Sequence, residues 1–238
     1  MSRIIVVVGF GPGTATSVAE RFGAEGFSVA LVARNEERLA AGVSALGARG
    51  ITASGFAADA ADPASIRAAL RTIRSQMGPI TVLHWNAYGG QEAGDLLTAD
   101  AASLRGVFDV AVFGLLAATD EALPDLKKSD GGAILISNGA FGEVSSKMDE
   151  VAANLHVMGL ALSSAAKHKL AGLLAQRLKG EGVYVGEVMT YASIKGTPSA
   201  NGNSVDPSVI AEEFWRLYQS RNETRATVNL PLSAHRDR

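Results

Sequence analysis

Cysteine is absent from the 238 residues. That excludes disulfides, thiolate nucleophiles and cysteine-based metal sites. The four histidines, His84, His156, His168 and His235, are scattered without metal-ligand spacing, so no metal is expected. Net charge is only −2, which offers no strong attraction to nucleic acid or to an anionic membrane. No uninterrupted run of about 18 apolar residues occurs, so no membrane span is expected either. Met1-Ser2-Arg3 leads straight into an apolar run rather than a signal peptide, and a cytoplasmic location is the expectation. With 47% hydrophobic and 19% charged residues, the composition is that of a globular protein large enough for one α/β domain, residues 1–238.

What is present is organised around Arg3 to Arg34. Ile4-Ile5-Val6-Val7-Val8 is a short β-branched run that suits a strand buried on both faces of a parallel sheet. Gly9, Gly11 and Gly13 follow, then a helical pattern from Thr14 to Gly23 and a second apolar run, Phe27–Val32. Glycines between a buried strand and a helix allow a tight turn and let an anion approach the free N–H groups of the helix start. This pattern predicts a dinucleotide-binding βαβ unit.

The rest of the chain repeats the alternation. Helices are expected over Asn35–Leu46, from Asp62-Pro63 to Met77, over Ala101–Leu123, over Val151–Lys179, and from Asp206-Pro207 to Ser220. Strands are expected at Arg49–Phe56, Ile80–Trp85, Ala133–Ser137, Val183–Met189 and Ala226–Leu230. The fold class is therefore α/β: a single-domain Rossmann fold, doubly wound, with a seven-stranded parallel sheet and helices on both faces.

Several landmarks resemble the short-chain dehydrogenase/reductase family over essentially the whole chain. Gly9-x-x-x-Gly13-x-Ala15 is similar to that family's phosphate loop, with Ala in place of the last Gly. Asp59 falls where the family has an acid beside the adenine. Trp85-Asn86-Ala87-Tyr88 occupies the place of its Asn-Asn-Ala-Gly. Asp206-Pro207-x-x-x-Ala211 and Phe214-Trp215-x-Leu217 resemble an atypical branch closed by a Trp-containing helix. By this resemblance Gly9, Gly11, Gly13, Thr14, Ala15, Asp59, Asn86, Ala87 and Tyr88 are expected around a nicotinamide cofactor.

The family's catalysis rests on an Asn, a Ser and a Tyr-x-x-x-Lys, in which Tyr exchanges the proton and Lys lowers its pKa. Counting back from Gly182-Val183 without gaps puts Leu160 at the Tyr position and Ser164 at the Lys position, with Leu170, Leu174 and Leu178 on apolar positions. The Asn position reads Ala111, and the Ser position falls among Ser137, Asn138 and Gly139. The chain thus resembles a family member lacking Tyr-x-x-x-Lys at its expected place. A register slipped by three residues would recover Ser163 and Lys167; in the unslipped register Lys167, His168 and Lys169 form a solvated or oligomer-facing patch. Tyr191-Ala192-Ser193-Ile194-Lys195 spells the motif too late, after the sixth strand, where a phenol would still lie near the reactive ring. Tyr191 is the expected proton donor, with Asn138 and His156 as further catalytic candidates.

The second strand ends in Ala33-Arg34-Asn35, with no acid to bond the ribose hydroxyls and a permanent cation to meet a 2′-phosphate, so NADP(H) is the expected cofactor. The expected function is an NADPH-dependent reductase of a small carbonyl compound or activated alkene (an enone) with a non-standard proton donor. The alternative is a decayed nucleotide-binding protein with a regulatory role. Small and apolar residues on the helices Ala101–Leu123 and Val151–Lys179 point to a homodimer or homotetramer.

Overall fold

The structure is a computed structural model that describes residues 3–229. Seven parallel strands form one sheet in the order β3-β2-β1-β4-β5-β6-β7. They are β1 (Ile4–Val8), β2 (Ser28–Ala33), β3 (Ala53–Ala57), β4 (Val82–Trp85), β5 (Ala133–Gly139), β6 (Tyr184–Thr190) and β7 (Arg225–Val228). Every residue of β1 and β4 is buried, as their unbroken apolar runs require. The expected last strand is seen at Arg225–Val228, and Leu230 lies outside the described residues.

Helices cover both faces, each carrying its own core. On one face α1 (Thr14–Ala24), α2 (Glu36–Ala48) and α8 (Pro207–Ser220) pack Phe22, Leu39, Phe214 and Trp215 against Ile5, Val7 and Leu31. On the other, α3 (Pro63–Met77), α5 (Leu115–Lys128) and α7 (Met158–Leu178) pack Ile66, Leu115, Ala118 and Leu174 against Val6, Val8 and Leu83. Asp62 caps α3 through Ala64 N at 2.8 Å, with Pro63 at the first helical position. Arg67 and Arg74 of α3 reach Asp120, Glu121 and Asp125 of α5, so the polar sides of these two helices are paired.

Two long helical stretches differ from expectation. The first is α4 (Ala101–Gly106), a π-helical turn (Asp109–Gly114) and α5, a 28-residue helix reaching Lys128 and passing through Pro124. It is long and apolar enough by length and composition to cross a membrane, yet its ion pairs to α3 and its packing on β4 are those of a domain helix. The second expected helix, Val151–Lys179, is two: α6 (Ser146–Asn154) and α7, broken at His156, whose φ of 52° no helix tolerates.

Candidate active site

In an open parallel sheet, ligands bind beyond the carboxyl ends of the strands where the strand order reverses, here between β1 and β4. Gly9 leaves β1 with φ 82° and sits so close to the chain beyond β4 that a Cβ would lie 2.5 Å from Ala87 N. Asn86 Nδ2 donates to Gly9 O at 3.2 Å and binds the two loops together. Gly13, φ 85°, is the N-cap of α1 and offers no side chain to its first N–H groups, and no acid lies in that first turn. The helix start therefore keeps uncapped N–H groups and a dipole that suit an anion. Thr14 and Ala15 are buried beneath it, and Thr16 Oγ1 closes the loop on Gly11 O at 2.9 Å.

Arg34 is exposed beyond the end of β2. Asn35 Oδ1 accepts from Arg38 N at 2.7 Å, so its amide oxygen caps α2. This cap brings Arg38 over the glycine loop, with Nη1 3.7 Å from where a Cβ on Gly11 would stand. Arg34 and Arg38 are both exposed at this end of the sheet, and Arg38 carries no expectation from the sequence. Asp59, half-buried at the end of β3, accepts from Ala61 N at 3.0 Å.

Beyond β4, the chain from Ala87 to Gly94 is fastened to the start of α7. Met158 N donates to Gly94 O at 3.0 Å, Gly159 N to Ala93 O at 2.8 Å, and Ser163 Oγ to Gly89 O at 2.9 Å. Ser163 is 2% exposed, so its hydroxyl is a packing bond beneath that loop. One turn further on, Lys167 is 4% exposed and its Nζ points at Ala87 O, 3.4 Å away. The expected surface patch at 167–169 is thereby corrected at its first residue: Lys167 faces the strand ends. Burial pulls its pKa from 10.5 down to about 8, partly opposed by Glu187.

Three of the expected catalytic positions carry no reactive group toward this region. Ala111 lies buried in the π-helical turn. Ser137 Oγ bonds His84 Nε2 at 3.0 Å on the opposite face, where His84 meets the edge of Phe214. Burial holds His84 neutral, with its pKa near 3. Asn138 is buried with both ends of its amide engaged: Nδ2 donates to Glu187 Oε1 at 2.8 Å and to Ser164 O at 3.0 Å, and Oδ1 accepts from Gly139 N. It has no amide hydrogen left for a substrate. His156 is exposed at the junction of α6 and α7, where the helix breaks at its positive φ. Tyr88 is 62% exposed, at the start of the loop that Ser163 fastens.

Tyr191 follows β6 directly, and its hydroxyl donates to Glu143 Oε2 at 2.8 Å. Glu143 belongs to the segment after β5, so the pair joins the loops leaving two adjacent strands. Burial and this carboxylate push the phenol up to about 12, while Glu143 is held below the usual range by Tyr191 and Ser145. Lys195 is not its partner: it lies 3.9 Å from Asp206, and no helix joins Tyr191 to Lys195. The following loop returns to the glycine turn, where Thr197 Cγ2 would stand 2.9 Å from a Cβ on Gly13.

Comparison with known proteins adds a family. Residues 3–200 match the short chain dehydrogenase model. The 3-oxoacyl-(acyl-carrier-protein) reductase FabG of Staphylococcus aureus is 27% identical over 168 residues, 69% of this chain and 68% of its own. L-Sorbose reductase from Gluconobacter frateurii, solved with NADPH and L-sorbose, superposes with a TM-score of 0.84 at 19% identity, covering 96% of this chain and 95% of its own. An NADPH-bound short chain oxidoreductase from Pseudomonas aeruginosa, described as containing an atypical catalytic center, gives 0.83 at 20% identity over 98% and 97%.

Proposed function

The chain belongs to the short-chain dehydrogenase family, and on that premise we propose that it is an NADPH-dependent reductase of a small carbonyl compound or an activated alkene. The observation that carries the reading is the buried ammonium of Lys167 at the carbonyl of Ala87, a residue packed against Gly9 of the glycine turn.

The residues fit a nicotinamide dinucleotide phosphate. Gly9, Gly11 and Gly13 with the uncapped N–H groups of α1 suit its diphosphate, and Thr14 and Ala15 keep that start compact. Arg34 and Arg38 suit the 2′-phosphate, and Asn35 serves by fixing Arg38. Asp59 borders the adenine end, and Asn86, Ala87 and Tyr88 border the ring end. When bound, the cofactor supplies a hydride. The protein must then supply a proton to the developing oxyanion.

Lys167 is the better donor of that proton. An ammonium with a pKa near 8 leaves a neutral amine when it gives up its hydrogen, the form that burial favours. Tyr191 would leave a phenolate 2.8 Å from the Glu143 carboxylate, two anions in contact. We therefore assign Tyr191 to shaping the substrate side and Lys167 to the proton.

Fluorescence titration tests the cofactor: NADPH is expected to bind at least ~10-fold tighter than NADH, and Arg34→Ala to remove most of that preference. Equal affinities would sink the assignment. NADPH binding without turnover of any aldehyde, ketone or enone would favour the alternative of a nucleotide-binding protein.

A further inference from the structure

Among the described residues, Glu187 is the one carboxylate less than a tenth exposed, and Lys167 the one buried ammonium or guanidinium. Glu187 sits at 0% exposure in the middle of β6, within the apolar run Val185-Gly186-Glu187-Val188-Met189. A carboxylate in such a place is costly unless every oxygen finds a donor. The donors come from three other elements. Asn138 Nδ2 of β5 gives 2.8 Å to Oε1, His168 Nδ1 of α7 stands 2.7 Å from Oε2, and Arg225 Nε of β7 stands 3.4 Å from Oε2. A carboxylate only accepts, which puts the His168 hydrogen on Nδ1. Asn138 extends the set by donating to Ser164 O, one turn before His168 on the same helix.

Lys167 is thus bracketed in sequence by the two points at which this network holds α7. Ala171, Leu174 and Leu178 already bury apolar surface on the inner face of this helix. The excess chemistry needs another reason, and the buried ammonium beside it provides one.

We propose that Glu187 is a positioning residue for the proposed chemistry: through Asn138 and His168 it fixes the turn of α7 that carries Lys167, and its charge keeps that amine protonated. The inference rests on the reading of Lys167 as proton donor. The charged and titratable groups around the amine are Glu187 on β6, His84 across the sheet on β4, and His168 beside it on α7, with Arg225 of β7 acting on Glu187. Burial disfavours the ammonium and Glu187 favours it, so removing the carboxylate lowers the pKa of Lys167. Removing Arg225, a competing cation, raises it.

The test is a 13C NMR titration of ε-labelled lysine, assigned with Lys167→Met, in the wild type, Glu187→Gln and Arg225→Met. It requires neither cofactor nor turnover, so it reads this inference even if no substrate is ever reduced. Glu187→Gln is expected to lower the Lys167 pKa by roughly one unit, and Arg225→Met to raise it by a few tenths. In NADPH oxidation assays the high-pH loss of kcat should move in the same directions. A Lys167 pKa unmoved in a folded Glu187→Gln overturns the proposal. Should Glu187→Gln not fold, an Arg225→Met titration that is unchanged or shifted downward overturns it equally. A purely structural Glu187 would lower kcat at all pH values without moving the profile.

Discussion

At the scale of single residues, Lys167 is a lysine whose burial is unfavourable for folding. Its pKa of about 8 against the ordinary 10.5 corresponds to about 3 kcal/mol at 1.36 kcal/mol per pH unit. The folded state binds this proton more weakly than the unfolded state does. The penalty is full below pH 8, fades as the pH climbs from about 8 to 10.5, and is gone above. Lys167→Met is therefore expected to be more stable than the wild type at pH 7, by at most ~3 kcal/mol, while losing about 10²-fold or more in turnover. Guanidinium melts between pH 7 and 10.5 should show that gap closing. A Lys167→Met protein that is less stable at pH 7 would contradict the burial argument. Tyr191→Phe is expected to change kcat by less than about 10-fold and to act mainly on KM, because the lost bond joins two loops.

The scale of the element is where sequence and structure part company. Strand positions and the glycine turn were legible because a buried parallel strand shows as an unbroken apolar run and a phosphate loop as spaced glycines. The register of α7 was not. Gapless counting from Gly182 gives Leu160 and Ser164, and a register three residues on gives Ser163 and Lys167, both within the helix Met158–Leu178. Three residues is nearly one helical turn, so Leu170, Leu174 and Leu178 fall on plausible apolar positions in either register. Nothing local in the sequence marked Lys167 as buried. One overlooked signal was Glu187, a lone charge inside an otherwise apolar strand. The loop after β4 could not be read either, because its fastening to α7 uses backbone groups that any sequence carries. Ser163→Ala tests that fastening. It is expected to cost about 1 kcal/mol, seen as a drop of a few degrees in Tm, with kcat within about threefold of wild type. A loss of about 10²-fold at unchanged Tm would instead make Ser163 the replacement for the family's tyrosine.

For the whole molecule, the long helix of α4, the π-helical turn and α5 has an outer side that stays uncovered. Phe113 and Leu116 on it, and Leu162 and Leu173 on α7, are between 39% and 54% exposed. Exposed apolar side chains of this size on two helices suit an association site. We expect a dimer or tetramer by light scattering at micromolar concentration, and Phe113→Glu to shift it toward monomer. A wild type that is strictly monomeric would refute this. As a whole, we propose, the molecule moves a hydride from NADPH and a proton from Lys167 to one substrate. Stopped-flow recording of NADPH oxidation against aldehydes, ketones and enones, from pH 6 to 10, tests it most directly. The predicted result is turnover with at least one substrate, falling as the pH passes about 8 and lost in Lys167→Met. Turnover that persists undiminished in Lys167→Met would contradict it.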